Sequence, residues 1–156
     1  MGKNILVAMD DSENGRRAVA FITAYMVRDC RITLLSVLQD TAALCDMNSP
    51  ELTPTFQAQQ SSFCTLEDQK RALVEKAQQD AKDELIAAGF AEENIEIKLY
   101  PRKRGVARDI AAEANSGYDL LVMGRRGVSA VREFFLGSIT QKVLSLAKDV
   151  SVVVVN

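Results

Sequence analysis

Apolar residues in this chain concentrate in five short segments, each with the length of a β-strand. Ile5–Met9 and Leu120–Met123 are apolar without a break, which is typical of strands buried on both faces of a parallel sheet. Ile32–Leu38 and Val150–Val155 predict two further strands. Ile95–Leu99 alternates apolar with charged residues, so it predicts an edge strand with one wetter face.

The segments between the strands carry the period of amphipathic helices. The first helix is expected to begin at Ser12, a residue type that caps helices, and the second at Thr65, beside an acidic pair. The second helix should end at Gly89 and the third at Gly117. The residues expected to face the core are Ala18, Phe21, Ile22, Tyr25 and Met26 in the first helix; Leu73, Ala77, Ala81 and Leu85 in the second; Val106, Ala107, Ile110, Ala111 and Ala114 in the third; and Ile139, Val143, Leu146 and Ala147 in the fourth.

One long segment, Gln39–Cys64, has no sustained period and contains Pro50 and Pro54. Connections of this length are uncommon in a compact domain and are usually functional or mobile, so we expect an irregular insertion over residues 39–64. A chain of 156 residues has the size of one domain. We therefore expect residues 1–156 to form a single domain that contains this insertion.

Strands and helices alternate along the chain, which predicts an α/β fold with right-handed crossovers and a five-stranded parallel sheet flanked by helices. If the strands lie in the order 3-2-1-4-5, the direction of winding reverses between the first strand and the fourth. Ligands of such Rossmann-like sheets bind at this point, beyond the carboxyl ends of the strands. The first strand leads to Asp10 and the fourth to Gly124, so we expect these two residues to converge.

Composition narrows the classes of protein that fit this fold. Hydrophobic residues make up 47% of the chain, charged residues 26%, and the formal net charge is −2, so no general attraction to nucleic acid or membranes is expected. With no histidine and three cysteines, the chain is expected to hold neither a Cys/His zinc site nor a disulfide framework. Because no apolar run reaches the length of a membrane span and no secretory signal is evident, we expect a cytoplasmic protein with free thiols. The alternative is that Cys45 and Cys64, which lie in the same irregular segment, pair under oxidation.

The strongest chemical signal is a glycine pattern near the C-terminus. Gly124 and Gly127 are followed, after nine residues, by Gly137 and Ser138, between an apolar strand and an amphipathic helix. Glycine allows backbone amides to approach a ligand closely, and the N-terminus of a helix attracts an anion. The pattern therefore predicts a phosphate site and a nucleotide-binding domain.

Three known folds that bind phosphate or magnesium do not fit this pattern. No GxxxxGK[ST] follows the first strand, so the chain is not a P-loop protein. Asp10 and Asp11 stand where a dinucleotide-binding Rossmann domain has its glycine triplet. Response-regulator receivers share this acid pair, but Tyr100-Pro101-Arg102 follows the third strand, where a receiver needs its phosphoacceptor aspartate.

In these features the chain resembles the ATP-binding branch of the universal stress protein family. The resemblance covers essentially the whole chain and rests on Val7–Glu13, Asp119–Gly124 and Gly137–Leu144. It implies binding of ATP, or of AMP or ADP, with Mg²⁺, and a homodimer formed through the strand at residues 150–155. Two positions depart from the family's usual residues: Asp11, where a small residue is common, and Ser36, where histidine is frequent.

The resemblance also implies a role for individual residues. Asp10 would contact the ribose or the metal-bound phosphates, beside the backbone of Ala8 and Met9. Val37 would hold the adenine edge through its main chain. The remaining residues implied at the ribose and the phosphates are Met123, Gly124 and Gly127. Apart from the resemblance, Arg125 or Arg126 could reach a phosphate from the glycine loop. The amides implied to cradle the phosphates belong to Gly137, Ser138, Ile139 and Thr140, with help from the hydroxyls of Ser138 and Thr140.

Together these inferences predict a regulatory or stress-response protein that binds an adenine nucleotide. Two alternatives remain open: a slow ATPase or autophosphorylating enzyme, whose evident bases would be Asp10, Asp11 and Glu13, and a nucleotide-free interaction module. We expect no dedicated catalytic residue and no protein metal site. The basic clusters that begin at Arg102 and Arg125 are expected to be solvated surface, without a role in binding nucleic acid.

Overall fold

The structure is a computed structural model that describes residues 2–38, 54–125 and 136–156. Within the second range it leaves the side chains of residues 57, 60, 61 and 63 undescribed. Two predicted site residues, Arg126 and Gly127, lie outside the described residues, as does the part of the expected insertion at 39–53. In the three ranges that are described, no helix combines the length and the apolar character that a membrane span requires.

Five parallel strands form one sheet: β1 (Asn4–Ala8), β2 (Arg31–Leu38), β3 (Ile95–Pro101), β4 (Leu120–Gly124) and β5 (Ser151–Val155). Their order is β3-β2-β1-β4-β5. β1 and β4 are buried along almost their whole length, as their unbroken apolar sequences predicted, and β3 lies at an edge with exposed residues. The predicted fold class and strand order are therefore confirmed.

Helices cover both faces of this sheet: α1 (Glu13–Tyr25), α2 (Pro54–Ala87), α3 (Val106–Ala114) and α4 (Ser138–Leu146), with a 3₁₀ helix at Glu92–Asn94. On one face, which we call the α1/α2 face, Val7 packs with Ile22 and Leu85. On the other, the α3/α4 face, Leu6 packs with Ile110 and Val143. Right-handed crossovers require this division, because the chain winds away from β1 in both directions.

The long helix α2 begins at Pro54, so the start predicted at Thr65 is wrong, and residues 54–64 of the expected irregular insertion are helical. Proline is well suited to the first position of a helix, because its missing N–H has no intrahelical partner there. The described side chains from 54 to 73 are exposed or half-buried. This part of α2 therefore lacks the apolar period by which a helix is detected in a sequence.

The buried stripes of α1 and α2 differ from those predicted. In α2, Val74, Gln78, Ala81 and Leu85 are buried, whereas the predicted Leu73 is 55% exposed. A polar residue interrupts this stripe: Gln78 Nε2 donates to the carbonyl oxygens of Leu34 at 3.3 Å and Lys98 at 2.9 Å, whereas Gln78 Oε1 is buried without a partner in the described part of the chain. In α1 the predicted Ala18 and Ile22 are buried, and Phe21 and Met26 pack against the core, but the predicted Tyr25 is 74% exposed.

The predicted helix ends agree better with the structure. α2 ends at Ala87, and Gly89, with φ +99°, adopts the left-handed conformation that stops a helix.

The two described cysteines are in different states. Cys30 is free and buried, but Cys64 is disulfide-bonded, so the expectation of free thiols is wrong for Cys64. That expectation rested on the predicted compartment and not on geometry.

Candidate functional site

The carboxyl ends of β1 and β4 lie side by side at the centre of the sheet. Ala8 of β1 pairs with Met123 of β4, and β1 has β2 as its other neighbour. The winding of the chain reverses between β1 and β4, and open α/β sheets form a ligand cleft at such a point. The structure thus brings Asp10 and Gly124 to the same edge, as the sequence predicted.

The end of β1 is fixed by hydrogen bonds from β2 and from its own turn. Met9 N donates to Leu35 O at 2.9 Å, and Ser36 Oγ donates to Met9 O at 2.7 Å. Asp10 Oδ1 then accepts a hydrogen bond from Ser12 N at 2.8 Å. Among the described residues its second oxygen, Oδ2, has no hydrogen-bond partner, so it can accept from a hydroxyl or bind a cation.

Ser12 does not cap α1 in the way its residue type predicted. It occupies the N-cap position, but its hydroxyl makes no capping hydrogen bond. The hydroxyl oxygen is buried without a partner in the described part of the chain. The backbone of Ser12 forms hydrogen bonds instead: its N–H donates to the Asp10 carboxylate, and its carbonyl accepts from Gly15 N at 3.1 Å.

Gly124 ends β4 where the first turn of α1 crosses it. A Cβ atom built on Gly124 would lie 2.6 Å from Asn14 Cβ and 2.9 Å from Asn14 O. Distances below 3 Å require the neighbouring atoms to move, and here a backbone atom is one of them. The close approach of α1 therefore explains why glycine stands at this position, whereas the sequence pattern had indicated the close approach of a phosphate.

The N-terminus of α4 lies at the same edge. Gly137 is the N-cap residue, and the first turn consists of Ser138, Ile139 and Thr140. The N–H groups of a first helical turn have no intrahelical partners and carry the positive end of the helix dipole. Ser138 and Ile139 are exposed, so the start of this turn is open to a ligand, and the prediction that Ile139 faces the core is wrong. It offers amide donors to an anion, as the glycine pattern predicted.

Two groups that were expected to donate hydrogen bonds to the phosphates, the Gly137 N–H and the Thr140 hydroxyl, donate to backbone carbonyls in this structure. The N–H of Gly137 donates to Arg125 O at 3.0 Å. The hydroxyl of Thr140 is buried and donates to Gly124 O at 3.1 Å. Sequence reasoning missed both bonds because they depend on how the end of β4 packs against α4. Ser138 is exposed, and the role predicted for its hydroxyl stays a prediction.

On the α3/α4 face, the carboxyl edge presents a small apolar surface. Ala8 and Met123 are buried in this core cluster, and Val37 is partly buried against it, so these three predicted residues lie together. Tyr100 and Val106 pack against the same cluster. Val106 was predicted as a core residue of α3, but neither residue was predicted as part of the site. Tyr100 pairs in register with Val37, and that pairing was the missing signal, because single-sequence reasoning does not fix the register of neighbouring strands.

On the α1/α2 face, a cavity of about 310 Å³ opens at the same edge. Its floor is apolar and includes Met9, Val19, Ala77 and Ala81. Its polar lining residues are Asp10, Asp11, Ser12, Arg16, Asp80 and Glu84. Besides Asp10, which also belongs to the candidate site, three further carboxylates and one guanidinium line this cavity, so its net negative charge is unfavourable for a phosphate.

Magnesium was expected with the nucleotide but without a protein metal site. In the described residues, no group of three or more acidic or cysteine side chains could hold a metal ion. Mg²⁺ usually binds through one or two carboxylates together with substrate phosphates. The free oxygen of Asp10 fits that arrangement, so Asp10 can hold a phosphate-bound Mg²⁺ although it cannot form a metal site alone.

The basic residues after β3 lie at this edge but away from its centre. Arg102 N donates to Leu38 O at 2.6 Å, and the Asp109 carboxylate accepts from Lys103 N and Arg104 N at 2.7 and 3.2 Å. The side chains of all three cations are exposed, and within the described ranges none forms an ion pair. This agrees with the predicted solvated surface.

A doubly wound parallel sheet, with an acidic turn and an open helix N-terminus at its switch point, defines a Rossmann-like α/β protein. The sequence profile of the universal stress protein family matches residues 1–156. The chain therefore belongs to the universal stress protein family.

Solved structures of similar fold agree with this assignment. Universal stress protein UspA from Lactobacillus plantarum is 22% identical with a TM-score of 0.73, over 99% of this chain and 97% of that one. A universal stress protein in complex with cAMP is 19% identical with a TM-score of 0.61, over 99% and 96%. The universal stress protein from Archaeoglobus fulgidus in complex with dAMP is 16% identical with a TM-score of 0.64, over 99% and 98%. The comparison with curated proteins found no match.

Proposed function

We propose that this protein binds an adenine nucleotide, ATP or its mono- or diphosphate, together with Mg²⁺, and acts as a regulatory or stress-response protein. One observation carries the proposal: an apolar surface, a carboxylate with a free oxygen and an open helix N-terminus lie at one switch point. A nucleotide needs these three environments, for its base, its ribose or metal ion, and its phosphates. The relatives in complex with cAMP and dAMP support the adenine class.

In this proposal each part of the edge has a separate role. The base lies on the apolar surface formed with Val37 and Met123, where Tyr100 and Val106 extend the contact. Asp10 accepts from a ribose hydroxyl or holds Mg²⁺ through its free oxygen. The amides of Ser138, Ile139 and Thr140 bind the phosphates by hydrogen bonds that the helix dipole strengthens. Residues Arg126 and Gly127 complete the phosphate side by the family resemblance.

We also propose that the protein retains its nucleotide and at most hydrolyses it slowly. Efficient phosphoryl transfer needs a positioned base or water and cationic stabilisation of the transferred group. Asp10 is engaged through Oδ1 with its own turn, and Asp11 adds a second negative charge near the phosphates. A bound Mg²⁺ would neutralise part of the phosphate charge. Slow hydrolysis or autophosphorylation stays the alternative function.

The direct test introduces a negative charge at the N-terminus of α4. Ser138→Asp is favourable for the helix itself, because a carboxylate in the first turn interacts well with the dipole. The same carboxylate repels a phosphate. We expect ATP affinity in calorimetry to fall by at least about tenfold, by the strength of a charge-assisted contact. The thermal midpoint should stay equal or rise.

Ser138→Asn is the matched control, since it keeps the size of the aspartate without its charge. It should bind ATP with an affinity within about threefold of the wild type, as expected for the loss of one exposed hydroxyl. If the aspartate variant binds ATP as well as the wild type, the phosphates do not lie at α4 and the proposed site is wrong.

The homodimer is proposed through β5. This strand pairs with β4 on one side only in the described sheet, and Val152 to Val155 are half-buried in the single chain. An apolar strand at a sheet edge has unpaired N–H and C=O groups that can bond another strand. A two-fold axis would pair β5 with the same strand of a second copy. Replacing Val153 and Val155 by lysine should give a monomer in light scattering. A wild-type protein that is already monomeric at micromolar concentration would refute the dimer.

A further inference from the structure

Two buried hydroxyl groups hold the two carbonyl oxygens at which the central strands end. Ser36 is 3% exposed and donates to Met9 O at 2.7 Å, just beyond β1. Thr140 is 3% exposed and donates to Gly124 O at 3.1 Å, at the last residue of β4. The two bonds come from different elements, β2 and α4, and converge on the two sides of the switch point.

These bonds are needed because the strands separate at this edge. A carbonyl at the end of a strand loses its partner in the ladder, and a buried carbonyl without a partner costs free energy. In each case a hydroxyl supplies the missing donor. It also restricts the direction in which the chain leaves the sheet, and that direction determines where Asp10 points and where α4 begins.

We propose that Ser36 is a positioning residue for the nucleotide site: its hydroxyl fixes the Met9 carbonyl and thereby the turn that carries Asp10. Thr140 has the equivalent role at the end of β4, where its bond to Gly124 ties α4 to the strand. The proposal rests on the proposed function, since it assigns these hydroxyls an effect on nucleotide affinity. Neither hydroxyl needs to contact the nucleotide.

A second buried hydroxyl on β2 provides a matched control. Thr33 is 6% exposed, and whereas burial raises the pKa of Tyr118 on the α3/α4 face, the Thr33 hydroxyl lies close enough to that phenol to lower its pKa by a smaller amount. Thr33 pairs with Leu6 of β1 in the middle of the sheet, away from the carboxyl edge. Thr33→Ala and Ser36→Ala each remove one buried hydroxyl from the same strand. A purely structural role predicts similar effects of the two substitutions on every property of the protein.

The first readout needs no nucleotide. Two amides report on the turn after β1, because Met9 N–H and Ser12 N–H are both hydrogen-bonded in the free protein. In Ser36→Ala we expect native-state hydrogen exchange at these amides to accelerate by about tenfold, as the loss of one hydrogen bond implies. In Thr33→Ala the ratio of their exchange rates to those of β1 should not change. Unchanged exchange in Ser36→Ala overturns the proposal.

The second readout is ATP affinity by calorimetry, measured well below the unfolding transition. Ser36→Ala should weaken binding by about five- to tenfold, and Thr33→Ala by less than about twofold. Thr140→Val should weaken binding to a similar extent, whereas Thr140→Ser, which keeps the donor, should restore it. Equal affinities in the wild type and Ser36→Ala refute the positioning role. A wild-type protein that binds no ATP overturns the proposed function, and with it the link from Ser36 to binding.

Discussion

The two faces of the sheet differ at their common carboxyl edge. On the α1/α2 face the edge opens into a cavity of about 310 Å³ that is lined by four carboxylates. On the α3/α4 face it presents a small apolar surface beside the open first turn of α4. The cavity thus lies on the side whose charge is less suitable for a phosphate, whereas the open amide donors of α4 lie on the other side.

The largest effect is expected where the two faces meet, at Gly124. In Gly124→Ala the new Cβ would overlap Asn14 of α1, so α1 must move away from the end of β4. We expect the free energy of unfolding to fall by about 2 kcal/mol, the usual cost of overpacking a core, in urea denaturation. Gly137→Ala, at an ordinary φ of −56°, should change it by less than about 1 kcal/mol. Equal stability of the two variants would show that α1 does not close over β4.

A smaller effect should separate the acidic cavity from the nucleotide site. Asp80 and Glu84 line the cavity from α2 and were not predicted as site residues. Replacing them by asparagine and glutamine removes two negative charges, so ATP should bind slightly more tightly, by about twofold or less at physiological salt because of screening. A tenfold loss of affinity in calorimetry would show that the nucleotide occupies the cavity, and the comparison of the two faces would be reversed.

The smallest effect concerns the polar contact that joins β3 to α3 under the apolar surface. Lys98 Nζ donates to Glu113 Oε1 at 2.8 Å, and Tyr118 OH donates to the same oxygen at 3.0 Å. The hydrogen bond to Glu113 raises the pKa of Lys98 above its usual value, and burial raises the pKa of Tyr118. In both cases the unfolded chain loses its proton first as the pH rises.

The contribution of Lys98 and Tyr118 to the free energy of unfolding is therefore fully present below about pH 10. It is lost as the pH rises through their raised pKa values. We expect thermal midpoints that decline above about pH 10, where tyrosine and lysine titrate in unfolded chains. Glu113→Gln should lower the midpoint at pH 8 and flatten its decline at higher pH. If the thermal midpoint declines with pH equally steeply in the wild type and in Glu113→Gln, the raised pKa of Lys98 does not depend on Glu113.

Sequence patterns predicted the architecture well because it depends on properties that each segment carries by itself. Unbroken apolar runs identified β1 and β4, and alternation identified β3 as an edge strand. The first half of α2 was missed because an exposed helix has no apolar stripe. In its second half Ala81 and Leu85 were predicted correctly, but Leu73 was taken for a core residue in place of Val74. The start of a helix and the identity of its buried face depend on partners that are distant in the sequence.

The candidate site was predictable only in part, for the same reason. Asp10 and the first turn of α4 could be placed from the strand order alone. The roles of Ser36 and Thr140 in holding backbone carbonyls, and the contribution of Tyr100 beside Val37, depend on strand register and helix packing. Gly124 illustrates the difference most clearly, since its sequence context indicated a ligand while its surroundings indicate a helix.

Backbone amide chemical shifts during a titration with ATP and Mg²⁺ test the central claim most directly. This measurement distinguishes the two faces of the edge in one experiment, without any substitution. We predict the largest shift changes at Ser138, Ile139 and Thr140, accompanied by changes at Val37 and Asp10. Changes confined to residues 77–84 of α2, or no changes at millimolar ATP, would contradict the account.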